Sequence, residues 1–206
     1  MFVNNLDPVA FEFLSFQIRW YSLAYIFGFL IGWFYIKNFL IKDFREKTLI
    51  DDFITYLILG VIIGGRLGYV IFYNFFYYLS HPFEIFFIWQ GGMSFHGGLL
   101  GVCLATYIFT QKYNLNFFRY TDLVSLVAPI GIFLGRVANF INSELYGRET
   151  DFIFSVNFNK VDNLFRHPSQ LYESFFEGIV LFIILNFLWK KFSEIPGVIS
   201  SLFLIF

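Results

Sequence analysis

The sequence predicts an all-α polytopic membrane protein with five full transmembrane helices, an incomplete sixth helix, and a short extracytoplasmic head segment between helices 4 and 5. Two features of the composition support this fold class. Of the 206 residues, 58% are hydrophobic and only 14% are charged, whereas a typical soluble domain has about 25% charged residues. The third observation is a series of apolar runs long enough to cross a bilayer, which requires about 20 helical residues.

The apolar runs follow one another along the chain and are separated by polar or charged residues. The five predicted spans are residues 20–38, 54–79, 94–110, 121–141 and 170–189. A sixth run, GVISSLFLIF, follows Pro196 and would extend about 15 Å, half of a hydrocarbon core of about 30 Å. We therefore expect an incomplete sixth helix within a single integral membrane domain, residues 1–206, and an extracytoplasmic loop at residues 143–169.

The distribution of Lys and Arg predicts the orientation in the membrane. The loops after helices 1 and 3 and the segment after helix 5 carry eight basic residues: Lys37, Lys42, Arg45, Lys47, Lys112, Arg119, Lys190 and Lys191. Because basic residues are enriched in cytoplasmic loops, we expect these segments in the cytoplasm and the N-terminus outside. In the extracytoplasmic loop, the alternating stretch FIFSVNF at residues 152–158 predicts a small β-hairpin.

Charge and cysteine content limit the function classes. The formal net charge is −1, so the sequence lacks the basic footprint expected of a protein that binds nucleic acid. The single cysteine, Cys103, excludes an intramolecular disulfide. Because Cys103 lies about 10 Å along the helix from His96, too far for a nucleophile and its base, we interpret it as a packing residue.

Charged side chains inside the predicted spans are the strongest functional signal. Arg66 and Arg136 fall within spans, and Glu173 and Glu177 lie near the start of another. A charge at the centre of a membrane costs about 2.5–3.5 kcal/mol on insertion scales. One such residue could be explained by a wet helix end or by an arginine that reaches the interface. Several together indicate a functional cavity.

These polar residues are spaced so that they share helix faces. Three sets repeat the spacing i, i+3, i+7: Arg136–Asn139–Ser143, Gln170–Glu173–Glu177 and Arg66–Tyr69–Tyr73. Tyr21 and Tyr25 share a face of the first helix, although Tyr21 could also belong to an interfacial aromatic belt. With the predicted orientation, these groups can converge on one cavity that opens to the outer leaflet.

The stretch GGMSFHGGLLG, residues 91–101, places five glycines and His96 at the predicted start of helix 3. Glycines leave backbone N–H groups at a helix N-terminus accessible to an anion, and histidine exchanges a proton near neutral pH. Together with the arginines, this stretch predicts a cavity for an anionic headgroup beside a titratable histidine. A glycine-rich re-entrant packing motif with a hydrogen-bonded histidine would have the same pattern.

Five segments together carry a family resemblance: RWYSLAY, GGRLGY, WQGGMSFHGGLLG, LGRVANFINSELYGR and RHPSQLYE. They resemble the bacterial prolipoprotein diacylglyceryl transferases, over nearly the whole chain. The resemblance implies an enzyme of the bacterial inner (cytoplasmic) membrane that transfers the diacylglyceryl group of phosphatidylglycerol to the lipobox cysteine of a prolipoprotein. A thioether forms, glycerol phosphate is released, and no metal or other cofactor is used.

The motif matches also imply which residues form the site. Catalytic roles fall on Tyr21, His96, Arg136 and Glu144. Roles in binding phosphatidylglycerol fall on Arg66, Arg136, Asn139, Gly147, His167, Gln170 and Glu173.

The chemistry of such a transfer fits these residue types. A thiol with a pKa of about 8.5 is mostly protonated at neutral pH, and His96 is the base that fits by type and position. Arg136, with Arg66, would stabilise the charge on the leaving phosphate, while Asn139 and Glu144 would orient the headgroup or the arginine. Alternatively, His96 hydrogen-bonds the lipid or the backbone, and another group accepts the proton.

The family continues beyond the equivalent of GVISSLFLIF with a stretch resembling YGxxRxxxExxRxPD and a final helix. We therefore expect this chain to lack the family's C-terminal part, which leaves two alternatives to a working transferase. One is a catalytically impaired remnant that binds phosphatidylglycerol. The other is an anion transporter, which is disfavoured by the nearly apolar cytoplasmic halves of helices 3 and 5, CLATYIF and VLFIILNFLW.

Overall fold

The computed structural model describes residues 2–13 and 16–206. The helices are α1 Trp20–Tyr35, α2 Phe44–Phe72, α3 Phe75–Ser80, α4 Phe95–Tyr113, α5 Phe117–Asn142, α6 Ser169–Glu173, α7 Leu181–Phe192 and α8 Val198–Ile205. Two π-helical segments, Ile36–Leu40 and Ser174–Val180, follow α1 and α6 directly. Helix therefore dominates the described chain, as the sequence predicts.

Four helical stretches are long and apolar enough to cross a membrane by length and composition: Trp20–Leu40, Phe44–Phe72, Phe117–Asn142 and Ser169–Phe192. The third predicted span corresponds to α4, which is helical but is not among these four. Polar residues lie at both ends of α4, with His96 at its start and Gln111 and Lys112 at its end. The count of five full spans and an incomplete sixth thus remains a prediction.

The predicted second span, residues 54–79, is wrong at both ends. Helix α2 begins ten residues earlier because the Asp43 side chain caps it, accepting hydrogen bonds from the backbone N–H groups of Arg45 and Glu46. Arg45 and Lys47, expected in a loop, therefore lie in the first turns of α2. At the other end, α2 stops at Phe72, and the separate short helix α3 begins at Phe75.

The described chain divides into two compact units, one formed by Ile36–Thr121 and the other by the N-terminal part through Tyr35 together with Asp122–Phe206. In the first unit, glycines let α2 and α4 approach each other closely. A Cβ at Gly60 would lie 2.6 Å from the Gly101 carbonyl oxygen, and a Cβ at Gly68 would lie 2.7 Å from Gly97 Cα. Such small-residue faces replace hydrophobic contacts in helix packing within lipid.

The second unit combines α1, most of α5, and α6 to α8 with a small three-stranded sheet. Strand β1, Phe2–Val3, pairs in parallel with β4, Val156–Asn157, which pairs antiparallel with β5, Phe165–Arg166. Strands β2, Val9–Phe13, and β3, Phe16–Arg19, form a separate antiparallel hairpin. The buried Asn4 side chain donates a 2.6 Å hydrogen bond to the Phe140 carbonyl and ties the N-terminal segment to the end of α5.

The run at residues 152–158 contributes one strand to a hairpin. Only Val156–Asn157 of that run forms a strand, and it pairs antiparallel with β5, Val156 with Arg166 and Asn157 with Phe165. Its other neighbour is β1, at the opposite end of the sequence. The pairing with β1 is non-local, and the alternation in FIFSVNF shows only that this run favours a strand.

Candidate functional site

Arg136 lies near the end of α5 and faces two carboxylates. Its Nε is 2.8 Å from Glu173 Oε2, and its Nη2 is 3.8 Å from Glu177 Oε2. Among the described residues, Nη1 makes no hydrogen bond. Glu173 thus holds the guanidinium at Nε, and a phosphate that bound the outer edge formed by Nη1 and Nη2 would replace Glu177 at Nη2.

The π-helical segment Ser174–Val180 brings these carboxylates to Arg136. Its Ser174 hydroxyl donates to the Phe133 carbonyl at 3.3 Å, and a Cβ at Gly178 would lie 2.7 Å from Phe133 Cβ. The segment therefore packs tightly against α5 one turn before Arg136. A π-helical insertion widens a helix locally and often occurs at functional sites, and here it begins directly after Glu173.

Glu144 forms a second polar group with residues of α5. The helix ends at Asn142, and the chain turns through Ser143 and Leu145, whose φ angles are +60° and +54°. This turn folds the Glu144 side chain back onto the helix. Its Oε2 accepts a hydrogen bond from Asn139 Nδ2 at 3.1 Å, and its Oε1 accepts one from Asn142 Nδ2 at 3.4 Å. Asn139 itself is buried.

Gln170, a residue of α6, stabilises this turn with a side-chain hydrogen bond. It is fully buried, and its Nε2 donates a 2.5 Å hydrogen bond to the Glu144 carbonyl. The neighbouring Ser169 hydroxyl donates to the Leu145 carbonyl at 2.8 Å. Gln170 Oε1 is buried without a partner in the described part of the chain. An unpaired buried amide oxygen is costly, so this group can accept a hydrogen bond from water or from a ligand.

Gly147 and His167 contact each other in the loop after α5. The Gly147 N–H donates to the His167 carbonyl at 2.9 Å, and a Cβ at Gly147 would lie 2.9 Å from both that oxygen and His167 Cβ. The His167 ring, in turn, has its Nδ1 3.2 Å from the Tyr172 hydroxyl. The absence of a side chain at residue 147 thus allows the close approach of two backbone segments.

Within the second unit, the structure therefore brings together most of the predicted site residues. They form two layers along α5 and α6: Arg136 with Glu173 and Glu177, and Asn139 with Glu144 and Gln170. Tyr21 lies in the first turn of α1, with its ring centroid 5.4 Å from that of Tyr25. No hydrogen bond joins Tyr21 to either layer in the part of the chain that the structure describes.

His96 belongs to the other unit, at the start of α4. Ser94 caps this helix by accepting a hydrogen bond from the Gly97 N–H at 3.2 Å. The His96 side chain is exposed, and its imidazole contacts Phe95 without making a hydrogen bond to any described residue. Both ring nitrogens are therefore accessible for proton exchange, which the alternative of a hydrogen-bonded packing histidine would not provide.

Arg66 has a different environment from the one expected of a phosphate ligand. It is only 3% exposed, and every N–H group of its guanidinium points to a backbone carbonyl. The five acceptors are the carbonyl oxygens of Glu84, Ile85, Phe87, Gly91 and Gly92. No donor of Arg66 is left over for lipid, so the proposed headgroup contact has no geometric support.

Sequence reasoning missed several groups that shape the site. Glu177 shares a helix face with Glu173, but it was not assigned a role. Asn142 donates to Glu144, and Ser174 ties the π-helical segment to the Phe133 carbonyl. The only sequence signal for these two residues is polarity at a helix end or inside an apolar run. The carbonyls around Arg66 carry no sequence signal, because every residue has one.

Comparisons with known proteins decide the family. The family model for prolipoprotein diacylglyceryl transferase matches residues 8–206. Proteins named phosphatidylglycerol–prolipoprotein diacylglyceryl transferase are similar to this chain in Rickettsia canadensis (53% identical, 91% of this chain and 73% of the relative), Rickettsia felis (50%, 98% and 80%) and Rickettsia typhi (49%, 100% and 81%).

This chain belongs to the prolipoprotein diacylglyceryl transferase family. The resemblance drawn from its five motifs is thus confirmed, and the protein is a transferase by family. The apolar helices fit the membrane location of a prolipoprotein diacylglyceryl transferase. Apart from Glu177, the residues of the two polar layers come from the motifs LGRVANFINSELYGR and RHPSQLYE.

Proposed function

We propose that this protein transfers the diacylglyceryl group of phosphatidylglycerol to the lipobox cysteine of prolipoproteins. The observation that carries this proposal is the arginine of α5, Arg136, which is held at Nε by Glu173 and offers a second edge for a phosphate, in a chain of this family. The thiol sulfur forms a C–S bond to the glycerol carbon of the lipid. The C–O bond to the phosphate breaks, and its electron pair leaves with glycerol phosphate.

Arg136 stabilises the leaving phosphate in this proposal. A guanidinium donates two parallel hydrogen bonds to phosphate oxygens, and the charge that develops on the ester oxygen strengthens them in the transition state. Glu173 fixes the plane of the guanidinium through Nε. Glu177, at 3.8 Å from Nη2, is displaced from Arg136 when the phosphate binds.

His96 accepts the proton of the thiol. Its exposed imidazole has no hydrogen-bond partner among the described residues, and histidine is the side chain that most often acts as a general base in enzymes. The protonated imidazole then returns its proton to water. If His96 instead donates a hydrogen bond to the lipid, its substitution should weaken lipid binding and leave turnover at saturating lipid unchanged.

Asn139, Glu144 and Gln170 shape the headgroup site around Arg136. The Asn139–Glu144 hydrogen bond fixes a carboxylate that can accept hydrogen bonds from the glycerol hydroxyls of the headgroup. Gln170 holds the turn that carries Glu144 and has a free amide oxygen. Gly147 and His167 support the same turn by close packing, and Tyr21 supplies a phenol for the substrate.

The protein acts in the bacterial cytoplasmic membrane, with its N-terminus and the loop at residues 143–169 on the extracytoplasmic side. The Lys- and Arg-rich segments support this orientation. The reaction needs no metal or other cofactor, and transfer should continue in the presence of EDTA.

The test is a transfer assay in phosphatidylglycerol vesicles with a lipobox peptide, beside a control peptide in which serine replaces the cysteine. We expect the mass of a diacylglyceryl group on the cysteine peptide only. His96→Gln and Arg136→Ala should each abolish measurable transfer while still inserting in the membrane. Lipid binding without transfer would indicate an impaired remnant, whereas efflux of anions from loaded vesicles would indicate a transporter.

A further inference from the structure

The connection between α3 and α4 is built around Arg66. It contains two short 3₁₀-helices, Pro82–Phe86 and Ile88–Gln90, and then two glycines, Gly91 and Gly92, with φ angles of +85° and +82°. Such 3₁₀-helices have weak internal hydrogen bonds and leave carbonyl groups unpaired at their C-termini. A connection of this kind needs an external donor to hold one conformation.

Arg66 supplies all the donors that this connection needs. Its Nε donates to the Ile85 carbonyl at 2.8 Å, its Nη2 to the Glu84 and Phe87 carbonyls at 2.7 and 3.3 Å, and its Nη1 to those of Gly91 and Gly92 at 2.5 and 3.3 Å. The guanidinium thus ends the first 3₁₀-helix and holds the glycine turn. Five N–H groups in one plane are a property of arginine alone.

The charge of Arg66 is balanced by dipoles. None of the four ion pairs in the described chain includes it, and the Glu84 carboxylate instead accepts a hydrogen bond from the Tyr77 hydroxyl at 2.7 Å. The carbonyl oxygens and the Tyr78 ring, whose centroid is 5.2 Å from Arg66 Cζ, face the cation. Carbonyl groups at the C-terminal ends of helices carry partial negative charge, so a buried guanidinium is stable here without a carboxylate.

The same part of α2 also fixes the start of α4. Gly65, next to Arg66, accepts a 2.9 Å hydrogen bond at its carbonyl from the Ser94 N–H. Ser94 is the N-cap of α4, and His96 follows two residues later. Arg66 therefore binds the connection, and Gly65 binds the N-cap of α4, the helix whose first turn contains His96.

We infer that Arg66 is a positioning residue, which clamps residues 84–92 and thereby places the N-terminus of α4 and its His96. It does not bind the lipid phosphate. The expected effect of Arg66 on turnover rests on the proposed role of His96. The hydrogen bonds between Arg66 and residues 84–92 do not depend on that role. Lysine cannot replace Arg66, because an ammonium has three donors without the planar arrangement.

The experiment combines hydrogen exchange with transfer kinetics on the full chain in phosphatidylglycerol nanodiscs. Arg66→Lys should accelerate exchange of the amides at residues 84–98 by about 10-fold or more, while amides of α2 at residues 50–60 keep their protection. Arg45→Lys, at an exposed position of the same helix, is the matched control and should change neither exchange nor transfer. Arg136→Lys is the comparison for a phosphate contact and should leave exchange at residues 84–98 unchanged.

In the kinetic arm, Arg66→Lys should lower kcat by about 10-fold or more and leave the KM for phosphatidylglycerol unchanged. Unchanged exchange with a raised KM for the lipid would overturn the clamp and assign Arg66 to the headgroup. Accelerated exchange with normal kcat would overturn the positioning of His96. If the unsubstituted protein transfers nothing, the proposed function fails, and the exchange arm still decides whether Arg66 clamps the connection.

Discussion

Arg136 Nε lies 2.8 Å from Glu173 Oε2, and this ion pair joins the end of α5 to α6. Both side chains are about one-third exposed or less, so the pair is partly shielded from water and can define the orientation of the guanidinium. Nη1 takes part in no ion pair in the described part of the chain. The ion pair thus fixes the orientation in which Arg136 can donate hydrogen bonds to a phosphate.

The first prediction concerns Glu173. Glu173→Gln removes the charge that holds Nε but keeps the shape of the side chain. We expect transfer to fall by about 10- to 100-fold, because the ion pair that orients Arg136 is lost. The measurement is kcat/KM in the vesicle assay, with Glu194→Gln, an exposed position after α7, as the control. Equal activity of the two variants would remove Glu173 from the site.

The second prediction separates internal hydrogen bonding from substrate contact at Asn139 and Glu144. Asn139→Asp places two carboxylates 3.1 Å apart, and we expect it to lower transfer by about 10- to 100-fold. Adding Glu144→Gln restores one amide and one carboxylate in exchanged positions. If the two side chains serve mainly to hold each other through this hydrogen bond, the double variant should be more active than Asn139→Asp. Additive losses in the double variant would show that each side chain contacts the substrate separately.

The third prediction concerns the close approach at Gly147. In Gly147→Ala, the added Cβ would lie 2.9 Å from His167 Cβ and from the His167 carbonyl oxygen. The backbone must shift, which we expect to destabilise the protein by about 1–3 kcal/mol. Thermal unfolding in detergent measures this loss. Gly131→Ala is the matched control, since nothing lies within 4 Å of its Cβ position, and an equal loss in both variants would contradict the packing role.

The fourth prediction is a pH dependence in the loop between α5 and α6. Arg166 Nη2 lies 2.6 Å from Asp162 Oδ2, and this hydrogen bond, with one from the Leu164 N–H, lowers the pKa of Asp162. A lowered pKa in the folded state gives a stabilisation that is complete above the unfolded-state pKa of about 3.9 and is lost as the pH falls through the folded value. A ¹³C NMR titration of the carboxyl carbon, assigned with Asp162→Asn, should give a midpoint below 3.9. A midpoint at or above 3.9 would contradict the pairing.

The fifth prediction concerns the buried Asp122 of α5, which caps the distant helix α8. Its carboxylate accepts 2.7 Å hydrogen bonds from the Gly197 and Ser200 N–H groups, and loss of an N-cap costs about 1–2 kcal/mol. Asp122→Ala should therefore lower the free energy of unfolding by at least that amount and accelerate amide exchange in α8. The exposed Asp151→Ala is the control. Unchanged α8 exchange in Asp122→Ala would show that the helix start has another support.

Helix periodicity explains why part of the site was predictable from sequence. Arg136 and Asn139, and likewise Gln170 and Glu173, are three residues apart and must share a face of any regular helix. The structure places these two faces in contact through Glu144 and Glu173. The expectation that the two faces converge rests on the predicted orientation in the membrane, because spacing within one helix does not determine which other helix it meets.

Other features depend on backbone geometry that side-chain patterns do not encode. The polarity of Arg66 was visible, but its acceptors are carbonyl groups of a 3₁₀ connection. The pairing of β1 with β4 joins segments more than 150 residues apart. The break between α2 and α3 falls in a run of aromatic residues that reads as one continuous apolar span.

The most direct test of the central claim follows both halves of the lipid in a single reaction. Phosphatidylglycerol labelled separately in its acyl chains and in its headgroup glycerol is incubated with the protein and a lipobox peptide. The account predicts acyl label on the peptide through a thioether and an equal amount of headgroup label released as glycerol phosphate. Both should be lost in Arg136→Ala. Headgroup label released without modification of the peptide, or peptide that retains the phosphate, would contradict transfer by displacement at the glycerol carbon.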